Sequence, residues 1–473
     1  MRRGRVLVFV AGAAALLGAG LLAVPGAAGA RAAAVAAAGS WGRAIAVPGL
    51  ATLNKGRNAD VLSVSCPSAG NCAAAGYYQN HGKQGFVAVE RNGRWHQAIE
   101  VPGLGALNTG GNAGVRSVSC ASAGSCAVGG AYTDGGGHQQ GFVAVRRNGR
   151  WHQAIEVPGL GTLNTGGSAA VSSVSCASRG YCAAVGFYTD GGGHRQGFVA
   201  IDRNGRWGQA VQVPGLGALN TGGSAEVSSV SCASPGNCAA GGDYATDAPG
   251  EQAFVVSEKN GTWGTAEQVA ASLNTGGDAA VDTVSCGSAG NCAAGGRYVD
   301  GSRNVQAFLV SEVNGVWTAA REVAGKLNIN GVAVVTSVSC AWAGNCSAGG
   351  TYDYGGYNAA FVVREKNGVW GRAIDVPGLG RVARDAFLTS VSCASAGNCA
   401  AGGGYDGGPS GAWVVRENDG VWGKQTTVPG LGALNKGSDL GVSSVSCASA
   451  GSCVAGGYYQ ETGRHFPLQA FVT

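Results

Sequence analysis

A pair of cysteines with five residues between them recurs eight times along this chain of 473 residues. The first cysteines of successive pairs are 54, 56, 56, 54, 54, 53 and 54 residues apart, and every cysteine of the chain belongs to a pair. A fixed period of this length indicates a repeat architecture, in which each unit buries its faces against its neighbours. The pairs are Cys66 and Cys72, Cys120 and Cys126, Cys176 and Cys182, Cys232 and Cys238, Cys286 and Cys292, Cys340 and Cys346, Cys393 and Cys399, and Cys447 and Cys453.

Each repeat contains four segments of strand-favouring composition. In one unit they are VSSVSCAS (171–178), YCAAVGFYTD (181–190), QGFVAIDRNG (196–205) and RWGQAVQVPG (206–215). Valine and aromatic residues recur in these runs, and Gly, Asn or Pro bound them, which is typical of short β-strands. No segment beyond the N-terminal region has a helical period. The sequence therefore predicts an all-β protein.

A tight turn is predicted between the third and fourth strands of seven repeats. Both central residues of a type I′ turn need positive φ, which Asn and Gly adopt readily. A tryptophan follows each of these turns two residues later, and one further repeat tryptophan, Trp41, stands near the start. The turns are Asn92-Gly93, Asn148-Gly149, Asn204-Gly205, Asn260-Gly261, Asn314-Gly315, Asn367-Gly368 and Asp419-Gly420.

The count of these turns predicts the topology. The chain begins with a lone fourth strand, SWGRAIAVPG (40–49), and ends with a lone third strand, LQAFVT (468–473). A ring of sheets closes when the N-terminus supplies the strand that the last unit lacks. We therefore predict an eight-bladed β-propeller of four-stranded antiparallel blades. A linear solenoid is the alternative, but it would need atypical capping repeats, and the first and last units here are regular.

Each cysteine pair flanks the loop between strands one and two. A hairpin places such flanking residues opposite one another, within reach of a disulfide. An even cysteine count in an exported chain supports the same interpretation. A metal site or a redox pair is the alternative, although zinc sites favour closer spacing and usually include histidine. We predict eight local disulfides, no metal site and no cofactor.

The N-terminus has the three regions of a secretory signal peptide. Three arginines within the first five residues precede an apolar run from Val6 to about Val24, and small residues follow it. Cleavage is expected after Ala30 or Ala32, which would make the protein secreted and extracellular. The alternative is that the apolar run stays as a membrane anchor, since it is almost long enough to span a bilayer. The predicted domains are a signal peptide at 1–30, an Ala-rich linker at 31–39 and a single propeller at 40–473.

The net charge says little about partners once the signal peptide is removed. The formal charge of +5 includes three arginines of that segment, so cleavage after Ala30 leaves +2. A nucleic-acid-binding protein would need Lys and Arg clustered on one face, and the sequence shows no such run. We expect a monomer that binds an extracellular ligand, a carbohydrate or a protein, with no nucleic acid and no membrane span in the mature chain.

Candidate binding residues lie in the loops of one rim. The links between strands two and three, and between strand four and the next blade, vary in length and polarity, and such loops often carry function. Leu-Asn steps recur there, and two adjacent blades carry an Asp-Gly-Gly-Gly-His loop. An Asn in a Gly-rich loop often bonds its own backbone, which is the structural alternative. The predicted binding residues are Asn108, Asn164, Asn220, Asn274, Asp134, His138, Asp190 and His194.

The repeated aromatic residues are predicted to form the core between blades. A tyrosine stands six residues after each second cysteine, from Tyr78 to Tyr459, and a phenylalanine recurs on the third strand, with Trp413 in its place in blade seven. A residue repeated once per blade at constant phase packs more often against a neighbouring blade than against a ligand.

No catalytic constellation is readable from local spacing. None of the six histidines stands in a zinc-binding or triad-like motif, and a carboxylate pair assembled across blades, as glycosidases need, leaves no local signal. A single active site must break the eightfold symmetry. The departures from the repeat are Arg381, Arg384 and Asp385 in blade seven and Asp353, Tyr354 and Tyr357 in blade six.

The unit SVSCASAGNCAAGG, with its downstream Tyr, Phe and NG-x-W, resembles repeats of secreted β-propeller proteins of high-GC actinobacteria. The resemblance covers nearly all of the chain after the signal peptide. It implies an exported propeller and brings no activity, so no functional residue follows from it. The leading hypothesis is a binding module for a glycan or another cell-surface polymer. The alternative is a glycoside hydrolase or polysaccharide lyase with its site at the axial mouth.

Overall fold

The computed structural model describes residues 40–329, 331–380, 384–407, 410–462 and 467–473. Eight antiparallel sheets follow one another along the chain and close into a ring, which confirms the predicted eight-bladed β-propeller. We number the blades 1 to 8 in the order of their cysteine pairs. The predicted signal peptide at 1–30 and linker at 31–39 lie outside the described residues.

The first three strands of each blade are regular and continuous. First strands are Ala59–Ser68, Gly114–Ser122, Ala169–Ser178, Ala225–Ser234, Ala279–Ser288, Ala333–Trp342, Ala386–Ser395 and Leu440–Ser449. Second strands are Asn71–Gln79, Ser125–Thr133, Tyr181–Thr189, Asn237–Ala245, Asn291–Val299, Asn345–Asp353, Asn398–Tyr405 and Ser452–Gln460. Third strands are Lys83–Arg91, Gln139–Arg147, Arg195–Arg203, Glu251–Lys259, Val305–Val313, Asn358–Lys366, Gly411–Asn418 and Leu468–Val472.

The fourth strand differs from the continuous run that the sequence predicts. In seven blades it consists of two short segments that both pair with the third strand. Between them, the amide of Ala210 donates a hydrogen bond of 2.7 Å to the Pro158 carbonyl of the preceding blade, and five other joints repeat this contact. Where this contact forms, the central amide bonds the neighbouring blade instead of the third strand. The segments are Arg94–Trp95 and Ile99–Glu100, Arg150–Trp151 and Ile155–Glu156, Arg206–Trp207 and Val211–Gln212, Thr262–Trp263 and Glu267–Gln268, Val316–Trp317 and Arg321–Val323, Val369–Trp370 and Ile374–Asp375, and Val421–Trp422 and Thr426–Thr427.

The N-terminal strand completes blade 8, as predicted. Ile45–Ala46 pairs antiparallel with the last strand, with Ile45 opposite Val472 and Ala46 opposite Phe471. The Val47 amide extends this contact with a hydrogen bond of 3.0 Å to the Ala470 carbonyl. The linear solenoid is therefore wrong, because the first and last repeats share a sheet.

A belt of hydroxyl groups joins the innermost strands of all eight blades. Two hydroxyls of each first strand accept the backbone N–H groups of a valine and a cysteine on the next first strand. At the closing joint, Ser444 accepts from Val64 at 3.0 Å and Ser446 accepts from Cys66 at 2.9 Å. The belt contains sixteen hydrogen bonds of 2.9–3.4 Å, two at every joint, and one acceptor is the threonine Thr283.

One repeated glycine is required by the close approach of two strands. A Cβ atom on Gly76 would lie 1.9 Å from the Asp60 carbonyl oxygen, where a bulge shifts the register between strands one and two. The equivalent glycines of the other seven blades would meet the corresponding carbonyl at 1.9–2.0 Å. Any side chain there would displace the bulge, which explains one glycine in every repeat.

All sixteen cysteines form the eight predicted local disulfides, and no cysteine is free. In seven blades the two cysteines are direct cross-strand partners. Eight intrachain disulfides indicate an oxidising, extracellular environment. None of the helices in the described part of the chain has the length and apolar character needed to cross a bilayer. The bridges join Cys66 to Cys72, Cys120 to Cys126, Cys176 to Cys182, Cys232 to Cys238, Cys286 to Cys292, Cys340 to Cys346, Cys393 to Cys399 and Cys447 to Cys453.

The core lies between adjacent blades, and the repeated aromatic residues form it as predicted. Seven of the eight repeat tyrosines are at most 5% exposed, and Trp413 is fully buried in the place of the repeat phenylalanine. The hydroxyl of Tyr78 bonds the Glu100 carboxylate at 2.7 Å. The Trp317 indole donates to Ser257 of the preceding blade at 3.0 Å. These polar bonds orient the aromatic side chains that fill the joints.

The propeller has two different rims. The stapled rim carries the disulfide loops and the Asn-Gly turns, whose Asn or Asp residues have φ of 48–53° as the predicted turn requires. The loop-rich rim carries the links between strands two and three and between blades. Five of the inter-blade links contain a single helical turn that sequence periodicity did not predict, at Leu50–Leu53, Leu104–Leu107, Leu160–Leu163, Leu216–Leu219 and Leu431–Leu434.

Candidate functional site

The predicted asparagines lie beneath the loop-rich rim, where each amide group bonds the third strand of the preceding blade and two of the four also bond the next blade. The Asn164 amide donates to the Gln139 carbonyl at 3.0 Å and to the Gln140 side chain at 2.9 Å in blade 2, and its oxygen accepts from the Thr189 amide of blade 3 at 3.2 Å. These bonds reach two other blades instead of the residue's own loop. A contribution of these asparagines to ligand binding stays a prediction. Because the side chains are buried, such a contribution would be indirect. Asn108, Asn164, Asn220 and Asn274 are 4–9% exposed.

The two Asp-Gly-Gly-Gly-His loops share one geometry. The Asp134 carboxylate accepts the backbone N–H groups of Gly136 at 2.8 Å and His138 at 2.9 Å, and Asp190 does the same toward His194. In blade 5, Asp300 organises its loop in the same way without a histidine. The carboxylates therefore shape the loops. The imidazoles, about 60% exposed, remain a predicted ligand contact.

Charged side chains that the sequence analysis did not single out gather at the axial mouth of the loop-rich rim. On blades 3 to 5, Arg195 forms an ion pair with Glu226, whose carboxylate also accepts a hydrogen bond of 2.8 Å from Ser172. Arg297 pairs with Asp282 at 2.9 Å. Asp243 stands directly across the strand pair from Glu226.

The opposite sector of the axial mouth is built from blades 8, 1 and 2. Asp60 is 9% exposed and accepts a hydrogen bond of 3.2 Å from Ser443. The Lys83 ammonium lies 3.9 Å from the centre of the Tyr77 ring. Arg116 forms no hydrogen bond or ion pair with any residue that the structure describes. We call these charged residues the axial cluster: Asp60, Lys83, Arg116, Arg195, Glu226, Asp243, Asp282 and Arg297.

Burial perturbs the carboxylates of the axial cluster. It raises the pKa of Asp60 and of Asp243 from 3.8 to about 7, and the pKa of Asp282 to about 6. Repulsion from Glu251 and Glu226 adds to the effect at Asp243, while Arg297 and Arg195 oppose it. Burial also raises the pKa of six carboxyl groups near the stapled rim, namely Glu90, Asp202, Glu258, Glu312, Glu365 and Glu417.

Because these folded-state pKa values exceed those of the unfolded chain, the folded protein binds more protons between the two values. The contribution of these carboxyl groups to stability is therefore expected to be fully present below about pH 4 and to be lost as the pH rises through about 6 and 7. Thermal unfolding followed by circular dichroism across this range measures the effect. The variant D60N/D243N/D282N should flatten part of the decrease. The exposed D134N variant should leave it unchanged, since backbone N–H donors lower the pKa of Asp134, and stability that rises from pH 5 to 8 would contradict the assignment.

The departures of blades 6 and 7 from the repeat meet around one pocket on the loop-rich rim. The pocket has a volume of about 520 Å³. Tyr354 and Tyr357 of the blade 6 hairpin form one wall, Lys326 and Ile329 of the preceding inter-blade loop form another, and Arg384 of the following loop lies beside them. The predicted departures Tyr354, Tyr357 and Arg384 are thus brought together, whereas Arg381 lies outside the described residues.

Specific contacts fix the walls of this blade 6 pocket. The Arg384 guanidinium stacks on the Tyr357 ring, 4.7 Å from its centre. Tyr357 is nevertheless 44% exposed, so its other face is open to a ligand. At the floor, the Tyr352 hydroxyl bonds the Asp375 carboxylate.

A second cleft of about 680 Å³ lies on the other side of the same inter-blade loop. Both are lined by Lys326 and Leu327. The second cleft adds Arg321, Glu322 and Arg372. The two cavities thus share one lining loop, and both carry cationic and aromatic side chains. Within the described residues, no group of three or more His, Cys, Asp or Glu side chains could hold a metal ion.

The sequence matches no protein-family model and no curated protein at a significant level. Solved structures similar to this chain include Sqt1 from Chaetomium thermophilum, which is 13% identical with a TM-score of 0.49 over 85% of this chain and 93% of that one. The β-propeller domain of the Trilobed protease from Pyrococcus furiosus is 7% identical, with a TM-score of 0.44 over 78% and 98%. A PL25 ulvan lyase is 11% identical, with a TM-score of 0.38 over 73% and 89%. These scores carry no argument about function.

Proposed function

We propose that this chain is a secreted binding module that takes an acidic glycan in the blade 6 pocket. The observation that carries the proposal is the combination of two tyrosines with Arg384 and Lys326 around one cavity. Aromatic rings offer apolar faces to sugar rings, and a guanidinium forms charge-assisted bonds to a carboxylate or sulfate. The second cleft, which shares Lys326 and Leu327 with the pocket, would give a longer acidic polymer a further point of contact.

The departures from the repeat support one principal site on the ring. The Tyr-Gly-Gly-Tyr hairpin occurs in blade 6 alone, and the blade 6-to-7 loop lacks the Leu-Asn step found in the other seven. The other blades present hairpins of different composition at the same place. Specificity would therefore come from the departures and the regular repeats would serve as the rigid scaffold.

An enzyme is the second candidate, since the pocket also combines an acid with an arginine, Asp375 with Arg384. The Tyr352–Asp375 pair recurs, however, as Tyr78 with Glu100 and as equivalent pairs in blades 2 and 5. A pair repeated in four blades belongs to the scaffold, which favours binding over catalysis. New reducing ends or unsaturated products from an acidic polysaccharide, abolished by D375N, would support the enzyme instead.

The binding proposal predicts that substitutions of the charged residue and of the aromatic residue affect different ligands. R384Q should weaken binding of an oligogalacturonate roughly 10- to 100-fold, the usual effect of losing a charge-assisted hydrogen bond. It should leave a neutral glucan oligosaccharide unaffected. Y357A should weaken both ligands, and Y357F should retain most of the affinity because it keeps the ring. Isothermal titration calorimetry on the secreted protein measures all three.

The matched control is R303Q, which removes an exposed arginine from the neighbouring hairpin on the same rim. It should leave both affinities unchanged. Equal losses from R303Q and R384Q would show that net charge, and no defined pocket, attracts the ligand. An absence of binding to neutral, uronic and sulfated oligosaccharides alike would overturn the glycan proposal.

A further inference from the structure

The tips of the Asn-Gly turns divide the stapled rim into two chemically different halves. The residue after each turn glycine occupies the same position in every blade. In blades 1 to 3 it is an exposed arginine, in blade 4 a threonine, and in blades 5 to 7 an exposed valine. The residues are Arg94, Arg150, Arg206, Thr262, Val316, Val369 and Val421.

The apolar half is unusually exposed for residues of this type. Val316, Val369 and Val421 are 67%, 69% and 71% exposed. Trp342, in the disulfide loop of blade 6 on the same rim, is 51% exposed. Exposed apolar side chains that cluster on one face indicate an interaction surface.

The basic half is available for binding. The three tip arginines form no hydrogen bond or ion pair with any residue that the structure describes. Neighbouring arginines are already used, since Arg91 donates to the Gly149 carbonyl of the next turn at 3.0 Å. Two acids on the adjoining third strands, Glu90 and Asp202, are buried. Blades 1 to 3 thus present a cationic surface at this rim, although the domain carries little net charge.

The N-terminal segment enters the propeller at this same rim. Ser40 stands immediately before Trp41, as each tip residue stands before its tryptophan, so it takes the place of the missing eighth tip. The Ser40 carbonyl accepts a hydrogen bond of 3.2 Å from Arg416, and that guanidinium lies 4.7 Å from the centre of the Trp41 ring. Only fifteen residues separate Ser40 from Val24, the end of the apolar run in the sequence.

We propose that the stapled rim is a docking surface for an anionic lipid membrane. Equivalent positions of a closed ring lie at one height, so the tips form a planar array that matches a planar partner. Valine and tryptophan side chains enter the interfacial region, while the arginines contact lipid phosphates. A linear polyanion would account for the arginines but not for the exposed valines. In this orientation the loop-rich rim with the blade 6 pocket faces away from the membrane.

Vesicle co-sedimentation tests the proposal with the secreted form that begins at Arg31, because every bond that closes the ring lies within 40–473. The protein should bind vesicles containing phosphatidylglycerol, less at high salt, and should not bind pure phosphatidylcholine vesicles. R94Q/R150Q/R206Q should lower the partition coefficient roughly 100-fold, because each arginine near an anionic membrane contributes a factor of about five. V316S/V369S/V421S should lower it roughly tenfold.

The charge-matched control is K55Q/R303Q/K436Q, which removes three exposed cationic side chains from the loop-rich rim, all outside the blade 6 pocket, and should leave vesicle binding intact. Equal losses from this control would overturn the proposal, as would unchanged binding by the valine variant. Binding to dextran sulfate or DNA without binding to vesicles would also overturn it and assign the arginines to a polyanion. Glycan titrations in the absence of lipid keep the outcome separate from that of the blade 6 pocket.

Discussion

A chain that begins at Leu50 is expected to lose the closed ring and to self-associate. The deletion removes the strand that pairs with Ala470–Val472, together with the Ala44 amide that donates to the Pro429 carbonyl at 2.7 Å. It also removes two residues that are 3% exposed, Ala44 and Val47. The lost burial and hydrogen bonds amount to roughly 5 kcal/mol or more. The last strand becomes an open edge, which templates association with other chains.

Size-exclusion chromatography with light scattering, combined with thermal unfolding, measures both effects. The matched control begins at Ser40, which keeps the complete fourth strand of blade 8 and should remain a stable monomer. A synthetic peptide of residues 40–49 added to the shortened chain should restore part of the stability. A monomeric chain with unchanged melting temperature would show that blade 8 does not depend on the N-terminal strand.

The architecture was predictable because the numbers of cysteine pairs and of Asn-Gly turns differ by one. Eight cysteine pairs with seven Asn-Gly turns leave one fourth strand at the start and one third strand at the end, and only a closed ring unites them. The turn dipeptides also place both rims, since alternate links of an up-and-down blade lie on the same side. Spacing within a hairpin is a local property, so the disulfides followed from it as well.

Contacts between blades were much less predictable. The fourth strand was expected to be continuous because its composition alternates, yet its central amide bonds a proline of the preceding blade. The sequence predicts the asparagines as loop or ligand residues, yet Asn108 and Asn164 each bond strands of two blades. Such partners lie in the neighbouring repeat, and no pattern within one repeat shows which group faces which.

The candidate sites show the same limit. Departures from the repeat pointed to Tyr354, Tyr357 and Arg384, and the pocket contains all three. The opposing wall, Lys326 and Ile329, comes from a loop of ordinary appearance in the preceding repeat. The axial cluster is not apparent from one repeat because each of blades 1 to 5 contributes only one or two members, and the residue at a given repeat position differs between blades. Aligning the repeats and comparing these positions would have found it.

The structural role of the Ser-Val-Ser sequence of the first strand becomes clear only when the contacts between blades are known. In a single strand these serines indicate nothing beyond composition. In the ring, the hydroxyls of Ser229 and Ser231 accept the backbone N–H groups of Val284 and Cys286, both at 3.0 Å. Every joint of the propeller repeats this arrangement, so each blade satisfies two amides of the next.

The double variant S229A/S231A should therefore destabilise the protein strongly. It leaves two partly buried N–H groups without acceptors at the joint between blades 4 and 5, at a cost of about 1–3 kcal/mol each. Denaturant unfolding followed by tryptophan fluorescence should show a loss of about 2–6 kcal/mol in the free energy of unfolding. The matched control is S228A on the same strand, because the Ser228 hydroxyl bonds no described residue, and its cost should be within about 0.5 kcal/mol. Equal effects of the two variants would mean that the belt contributes packing instead of hydrogen bonds.

A single joint weakened in this way should also allow hydrogen exchange at the Val284 and Cys286 amides before the rest of the strand exchanges. Lost packing alone does not produce this signature.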